Sequence, residues 1–391
     1  MHAPALPPLS IYLHIPWCIR KCPYCDFNSH ALRGALPEKD YADALIRDLA
    51  FSIPLAQGRM VDSVFFGGGT PSLLSADTVH RLLEAVRQHA PLAADVEITL
   101  EANPGATDTA HFAALRQAGV NRLSLGVQSF QPEQLRSLGR IHDSRQARLA
   151  AEAAQRYFDN FNLDLMYALP RQTPRQALDD LRIALTFDPP HLSLYHLTLE
   201  PGTAFYHAPP PLPDTDTAAD IQQAIAATLA QRGYAHYEIS AYAREARQCR
   251  HNLNYWRFGD YLGIGAGAHS KITQPGKIIR QARSRHPSAY LAEAGKSIRR
   301  ENAVTGLNLG LEFMMNALRL TEGFPAQWFE ARTGLPLDSI KAALTTAQRQ
   351  ELIICQDGHI RPTPRGSDFL NDLLLLFLPP KEKTPSQTGR G

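Results

Sequence analysis

From Ile11 to Thr198 the chain alternates between two hydrophobic patterns. Short apolar and β-branched runs, bounded by Gly, Pro or Asn, predict strands at 11–15, 63–66, 96–100, 122–127, 162–167 and 192–198. Between them, apolar residues recur at helical spacing over Tyr41–Ser52, Thr78–His89, His111–Ala118, Ser144–Phe158 and Arg175–Phe187. Ser75 stands where it can cap the second helix, and Thr173-Pro174 puts proline where a helix start tolerates it. Six strands joined by helical crossovers predict an α/β fold with a parallel sheet, either a barrel or a doubly wound layer. The polar residues that interrupt the pattern weigh between the two. A cysteine cluster follows the first strand, Gly67-Gly68-Gly69-Thr70-Pro71 the second, and Glu101-Ala102-Asn103-Pro104-Gly105 the third. Gln128-Ser129-Phe130 follows the fourth and Glu200-Pro201-Gly202-Thr203 the sixth. Single loops of this kind are ordinary turns, but a succession of them points to one shared site at the C-terminal face of a barrel.

Beyond Thr198 the rhythm changes. Pro209-Pro210-Pro211-Leu212-Pro213 reads as a break, followed by a helix at Ala218–Gln231 and a Gly-rich loop at 263–269. Lys277–Arg300 is locally basic, and a solvated basic helix is its simplest reading. From Glu301 the pattern predicts three helices and a hairpin turning at Asp357-Gly358, a winged-helix-like α+β module. The expected organisation is 1–235, an α/β barrel domain; 236–300, a linking segment; 301–378, the winged-helix-like domain; and 379–391, a polar, disordered tail.

Composition narrows the function. Lys and Arg number 40 against 38 Asp and Glu, and Glu301–Asp372 carries a net charge of −3. Neither offers the basic footprint that nucleic-acid binding requires, so no nucleic-acid partner is expected. The start lacks a basic, apolar leader, and the longest apolar run, near 373–378, is far too short for a transmembrane segment. A reducing, cytoplasmic setting is the expectation. Five cysteines are too few and too unevenly placed for a disulfide scaffold.

Three of them, Cys18, Cys22 and Cys25, form a CxxxCxxC array. Thiolates suit zinc or iron–sulfur clusters. A structural zinc wants four ligands, and His14 or His30 would have to be the fourth. Three thiolates suit a [4Fe–4S] cubane that leaves one iron open to a small chelating ligand.

The cysteine loop after the first strand and the Gly-Gly-Gly-Thr-Pro loop after the second resemble the radical S-adenosylmethionine (SAM) family. That resemblance implies a [4Fe–4S] cluster on Cys18, Cys22 and Cys25, S-adenosylmethionine bound at the open iron, and a partial (β/α)6 barrel. The blocks His14–Cys18, Gly67–Leu74, Glu101–Gly105, Gly126–Phe130, Leu138–His142 and Asp164–Pro170 are similar to one branch of the family. It contains the oxygen-independent coproporphyrinogen III dehydrogenase and the HemW-like haem chaperones. Carried over, Tyr12, Gly68, Gly69, Thr70, Glu101, Gln128, Arg140 and Asp164 would surround S-adenosylmethionine, with Arg140 bidentate on its carboxylate and backbone groups of the glycine loop reaching its amino group. Ala168 stands where relatives usually have Gly.

Two features separate the subgroups. The dehydrogenase resembles CxxxCxxCxC, and here Phe27 occupies the last position; only eleven residues precede Tyr12, where the dehydrogenase carries a longer arm. The stretch His251-Asn252-Leu253-Asn254-Tyr255-Trp256 matches the HNxxYW element that the resemblance associates with haem. It implies His251 as an axial haem ligand, Cys249 as a second candidate, and Tyr255 and Trp256 packed on the porphyrin, with Lys277–Arg300 near its propionates. A buried histidine in an aromatic cluster is the plainer reading of the same residues. The expectation is a haem chaperone with haem, an acceptor haemoprotein and an electron donor as partners, a homodimer being possible. The alternative is a radical SAM enzyme that decarboxylates coproporphyrinogen III.

Overall fold

The structure is a computed structural model and describes residues 6–105, 109–293 and 300–379. Six strands follow the predicted rhythm: β1 (Leu9–Ile15), β2 (Val61–Gly68), β3 (Leu92–Ala102), β4 (Arg122–Gln128), β5 (Phe161–Tyr167) and β6 (His191–His196). They lie side by side in chain order, each parallel to the next. A doubly wound sheet reverses its order part-way, and this one does not; the winding is that of a barrel. Crossing between the strands are α1 (Glu38–Ser52), α2 (Ala76–His89), α3 (Thr109–Gln117), α4 (Ser144–Tyr157) and α5 (Pro174–Leu185). Ser75 caps α2, and Asp143 and Thr173 form capping boxes at α4 and α5. The helix α6 (Thr215–Gln231) packs against α5.

Strand alternation sorts the side chains. Along β1, Leu9, Ile11, Leu13 and Ile15 enter the main hydrophobic core with the helices. Ser10, Tyr12 and His14 take the opposite face, which is the barrel lumen. The other strands repeat this with Ser63 and Phe65; Glu97, Thr99 and Glu101; Arg122, Ser124 and Gly126; Asn162, Asp164 and Met166; and His191, Ser193 and Tyr195.

Six more strands extend the sheet. They are β7 (Ala235–Glu238), β8 (Ala241–Ala243), β9 (Asp260–Ile264), β10 (His269–Gln274), β11 (Lys277–Ala282) and β12 (Arg300–Val304). The order across all twelve is β12-β11-β10-β9-β1-β2-β3-β4-β5-β6-β8-β7. Segment 236–300 thus contributes strands β8 to β11 to the sheet. The Gly-rich loop is shorter than its motif, because Gly263-Ile264 ends β9 and His269 begins β10. Nor is Lys277–Arg300 a solvated basic helix. It starts as β11, Arg280 pairs with Glu312 at 2.7 Å, and the buried Arg283 pairs with Asp48 of α1 at 2.9 Å. Lys296 and Arg299 fall outside the described residues, as do positions 380–391 of the expected tail.

The short helix α7 (Arg250–Trp256) sits between β8 and β9 in the chain and packs on β1 and β2. Behind it lies the C-terminal module: α8 (Gly306–Ala317), α9 (Gln327–Thr333), α10 (Lys341–Arg349) and a three-stranded wing. Its core, around Phe313, Phe324 and Phe329, takes in Phe258 just after α7. No helix among the described residues is long and apolar enough to cross a membrane.

Candidate functional site

The cysteine loop is held to the strand ends by the glycine loop after β2. The Gly69 N–H donates to the Ile15 carbonyl at 2.7 Å, and the Thr70 N–H donates to the Trp17 carbonyl at 2.8 Å. A Cβ on Gly69 would stand 2.5 Å from the Trp17 oxygen, so this approach requires glycine. Cys18, Cys22 and Cys25 are free thiols, none of them fully buried. Burial pushes the Cys18 thiol up, a hydrogen bond with Thr70 opposes this, and the neighbouring Cys25 and Cys22 add to it. Among the described residues no three His, Cys, Asp or Glu side chains already close around a metal-sized point.

All the residues expected to bind S-adenosylmethionine, the three cysteines and His251 line one cavity of about 460 Å³. That size suits one drug-sized ligand. Glu101 accepts a hydrogen bond from the Gly68 N–H at 3.1 Å, so this amide is already engaged by the protein. Burial, reinforced by the charge of Asp164, raises the Glu101 carboxyl to about 7. Asp164 is also raised by burial, although Asn162 at 2.8 Å and Ser124 at 3.2 Å donate to it. Gln128 ends β4 with φ 67, in the left-handed region, where the register with β5 shifts. Non-glycine residues in that region cluster at functional sites. Arg140 holds the wall together: its terminal nitrogens donate to Asn103, to the Gly126 carbonyl at 2.7 Å and to the Cys22 sulfur at 3.6 Å. The expected fork on a ligand carboxylate is therefore largely committed to protein groups, and Nε is its unpartnered donor.

His251 lies at the opposite end, 2% exposed. Its ring stacks on Phe65 at 4.8 Å and meets the edge of Tyr255 at 5.0 Å. Ser63 donates to Ser10 at 2.8 Å and lies 3.1 Å from His251 Nδ1. With the Ser63 proton on Ser10, Nδ1–H donates to Ser63, and Nε2 keeps its lone pair. Nε2 is buried without a partner. Burial, then the nearby Arg122, lowers His251 to about 3, so the ring is neutral at ordinary pH. Cys249 is placed elsewhere: it does not line the cavity, its sulfur lies 3.6 Å from Glu97, and burial pushes its thiol up to about 12. Trp256 also turns away, with Arg319 4.3 Å over its ring.

The comparisons fall in with this geometry. The family described as "Radical SAM superfamily" matches residues 12–184, and "HemN C-terminal domain" matches 304–369. The Escherichia coli protein named "Heme chaperone HemW" is 50% identical over 375 residues, covering 95% of this chain and 99% of its own. The chain belongs to the HemW family of radical SAM proteins. The mitochondrial "Radical S-adenosyl methionine domain-containing protein 1" of Bos taurus is 37% identical, with 100% of this chain and 92% of that one covered. Among solved structures, Escherichia coli coproporphyrinogen III oxidase (HemN) superposes with a TM-score of 0.80 at 26% identity, covering 95% of this chain and 90% of its own.

Membership of the radical SAM family implies a [4Fe–4S] cluster and S-adenosylmethionine, and the donor set of this HemW-family chain fits both. Three free thiols share one cavity wall, and two raised carboxyls and Arg140, whose Nε has no partner, line the same space. The strand-end motifs did not reveal the rest of the lining. Arg122, Ser124, Asn162, His191 and Ser193 come from lower in the barrel. The signal for them is polar alternation within strands: parallel strands covered on both faces are ordinarily apolar throughout.

Proposed function

We propose that this chain is a haem chaperone, with a [4Fe–4S] cluster on Cys18, Cys22 and Cys25 and S-adenosylmethionine among Tyr12, Gly68, Gly69, Thr70, Glu101, Gln128, Arg140 and Asp164. When bound, the cluster and S-adenosylmethionine supply one-electron chemistry, for which an electron donor is the implied partner. The protein's own residues position and shield. The thiols fix the cluster at the mouth, the two carboxyls accept hydrogen bonds from hydroxyl and ammonium groups, and the aromatic walls exclude water. Haem is cargo, held through His251 and passed to an acceptor haemoprotein.

One observation carries the reading. The HNxxYW histidine lines the cavity with a neutral ring whose buried Nε2 has no partner, and a free lone pair is what an axial ligand needs. The name carried by a relative at 50% identity supports it. The test is haem retention by the wild type and His251→Ala. A Soret band retained equally by both removes His251 from the mechanism.

The likeness to HemN favours a second reading, radical decarboxylation of coproporphyrinogen III. Phe27 weighs against it, since it stands where the dehydrogenase has a further cysteine. Protoporphyrinogen formation from coproporphyrinogen III, S-adenosylmethionine and reductant would overturn the chaperone reading.

A further inference from the structure

The cavity has one mouth and one floor. Glu97 seals the floor by accepting from the Arg250 and His251 N–H groups at the start of α7, at 3.0 and 3.3 Å. The C-terminal module locks α7 from behind, through Arg319 over Trp256. The lumen is therefore the side on which His251 meets open space, as one of its lining residues. Phe65 covers one face of the ring, and Tyr255 closes a side. Tyr12, 6.1 Å from His251 between ring centroids, lines the same cavity as Glu101 and His251. The whole space is about 460 Å³ and the cysteine wall belongs to it, so ligands at the two ends draw on the same room.

We propose that S-adenosylmethionine and haem occupy this cavity in alternation, so that S-adenosylmethionine entering at the mouth displaces haem from His251. The proposal rests on the reading of His251 as the haem ligand. A porphyrin whose iron sits on Nε2 spreads across the lumen into the space that Glu101 and Asp164 offer to S-adenosylmethionine. Two ligands that exclude each other are linked reciprocally: each weakens the other by the same factor. The apparent dissociation constant for haem is multiplied by one plus the ratio of S-adenosylmethionine to its own dissociation constant. Delivery of cargo then needs no cleavage of S-adenosylmethionine, only its binding.

The experiment is an anaerobic haem titration of the full chain with its cluster oxidised and no reductant, followed by Soret absorbance. Equilibrium dialysis of S-adenosylmethionine runs in parallel. With S-adenosylmethionine at about ten times its own dissociation constant, the apparent constant for haem should rise about tenfold. Haem should weaken S-adenosylmethionine by the same law. A Cys18/Cys22/Cys25→Ser protein, lacking the cluster, should bind haem with no response to S-adenosylmethionine.

The two readings fail differently. If His251→Ala binds haem as tightly as the wild type, the ligand assignment falls, and the alternation with it. If His251→Ala loses haem while S-adenosylmethionine leaves the wild-type titration unmoved or tightens it, ligation stands and alternation is overturned. Failure of the wild type to bind S-adenosylmethionine, or a shift that persists in the cluster-free protein, also overturns it.

Discussion

At the C-terminal ends of the barrel strands the cavity opens between Ile19, Phe27 and Ile141, which are 47%, 61% and 39% exposed. At the N-terminal ends it closes on Glu97, Arg122 and His251, which are 6%, 2% and 2% exposed. The same strands thus carry a wet, adaptable rim and a dry, deeply buried floor. At the rim, function needs reactive thiols and room for a ligand to enter, and burial energy contributes little. At the floor, a buried carboxylate faces a buried guanidinium at 4.0 Å and caps a helix, so the two charges depend on each other. Changes at the rim should therefore alter binding and spare stability, and changes at the floor should do the reverse.

The largest effect is expected at the rim and is wholly functional. Serine at positions 18, 22 and 25 should take bound iron from about four per chain to none. The urea midpoint of the cluster-free proteins should stay close together. A wild type that instead takes up one zinc per chain would break the family reading of the loop. Next comes the floor. Glu97→Ala strands the Arg122 charge and removes the cap of α7, and breaking a buried pair costs about 3–5 kcal/mol. Phe27→Ser at the rim should stay within about 0.5 kcal/mol. Comparable losses for the two in urea unfolding would erase the contrast.

This contrast also separates what was readable in the sequence from what was not. Rim residues announce themselves: three closely spaced cysteines, a glycine run and a Glu-Ala-Asn-Pro-Gly turn interrupt strongly patterned strands. The floor makes no such interruption. Glu97, Arg122 and His191 sit inside strand patterns and read as tolerated polar positions until the lumen brings them together. His251 was marked by its motif, but its depth depends on α7 packing on β1 and β2 from a distant stretch of chain. Strands β10 and β11 were missed for a related reason. Lys271 in β10 is buried yet pairs with Asp260 at 2.9 Å, and the basic residues of β11 mask its period. The motif points Trp256 toward haem and nearness to His251 points Cys249 there, but in the fold Trp256 meets Arg319 and Cys249 meets Glu97.

A smaller effect tests the space between rim and floor through pH. The Glu101 carboxyl titrates at about 7 in the folded protein, raised by burial and by Asp164. In the unfolded chain it titrates near 4.3, roughly the ordinary glutamate value. Between those values the folded state holds a proton that the unfolded state has released. Stability from this group is therefore lost as pH rises through about 4.3 to 7 and stays lost above. Asp164, also raised, acts in the same direction. The neutral Glu101→Gln should flatten the difference between urea midpoints at pH 5 and pH 8. An unchanged slope would mean that Glu101 is as well solvated as a rim residue.

The smallest effect should come from Ala168, just beyond the end of β5, where φ is 54 and the residue is 2% exposed. A non-glycine residue in the left-handed region costs roughly 1–2 kcal/mol, which Ala168→Gly would relieve. Against this, glycine adds freedom to the unfolded chain worth about 0.4–1 kcal/mol, and the lost buried methyl is worth about 0.8 kcal/mol. The terms nearly cancel, so the net change should lie within about 0.5 kcal/mol, although the position is buried. Ala168→Val should be clearly worse, because a β-branched side chain at positive φ is a genuine outlier. A loss above about 1.5 kcal/mol for Ala168→Gly would mean that the methyl is a packing element, and that the rigid packing of the floor reaches up to the strand ends.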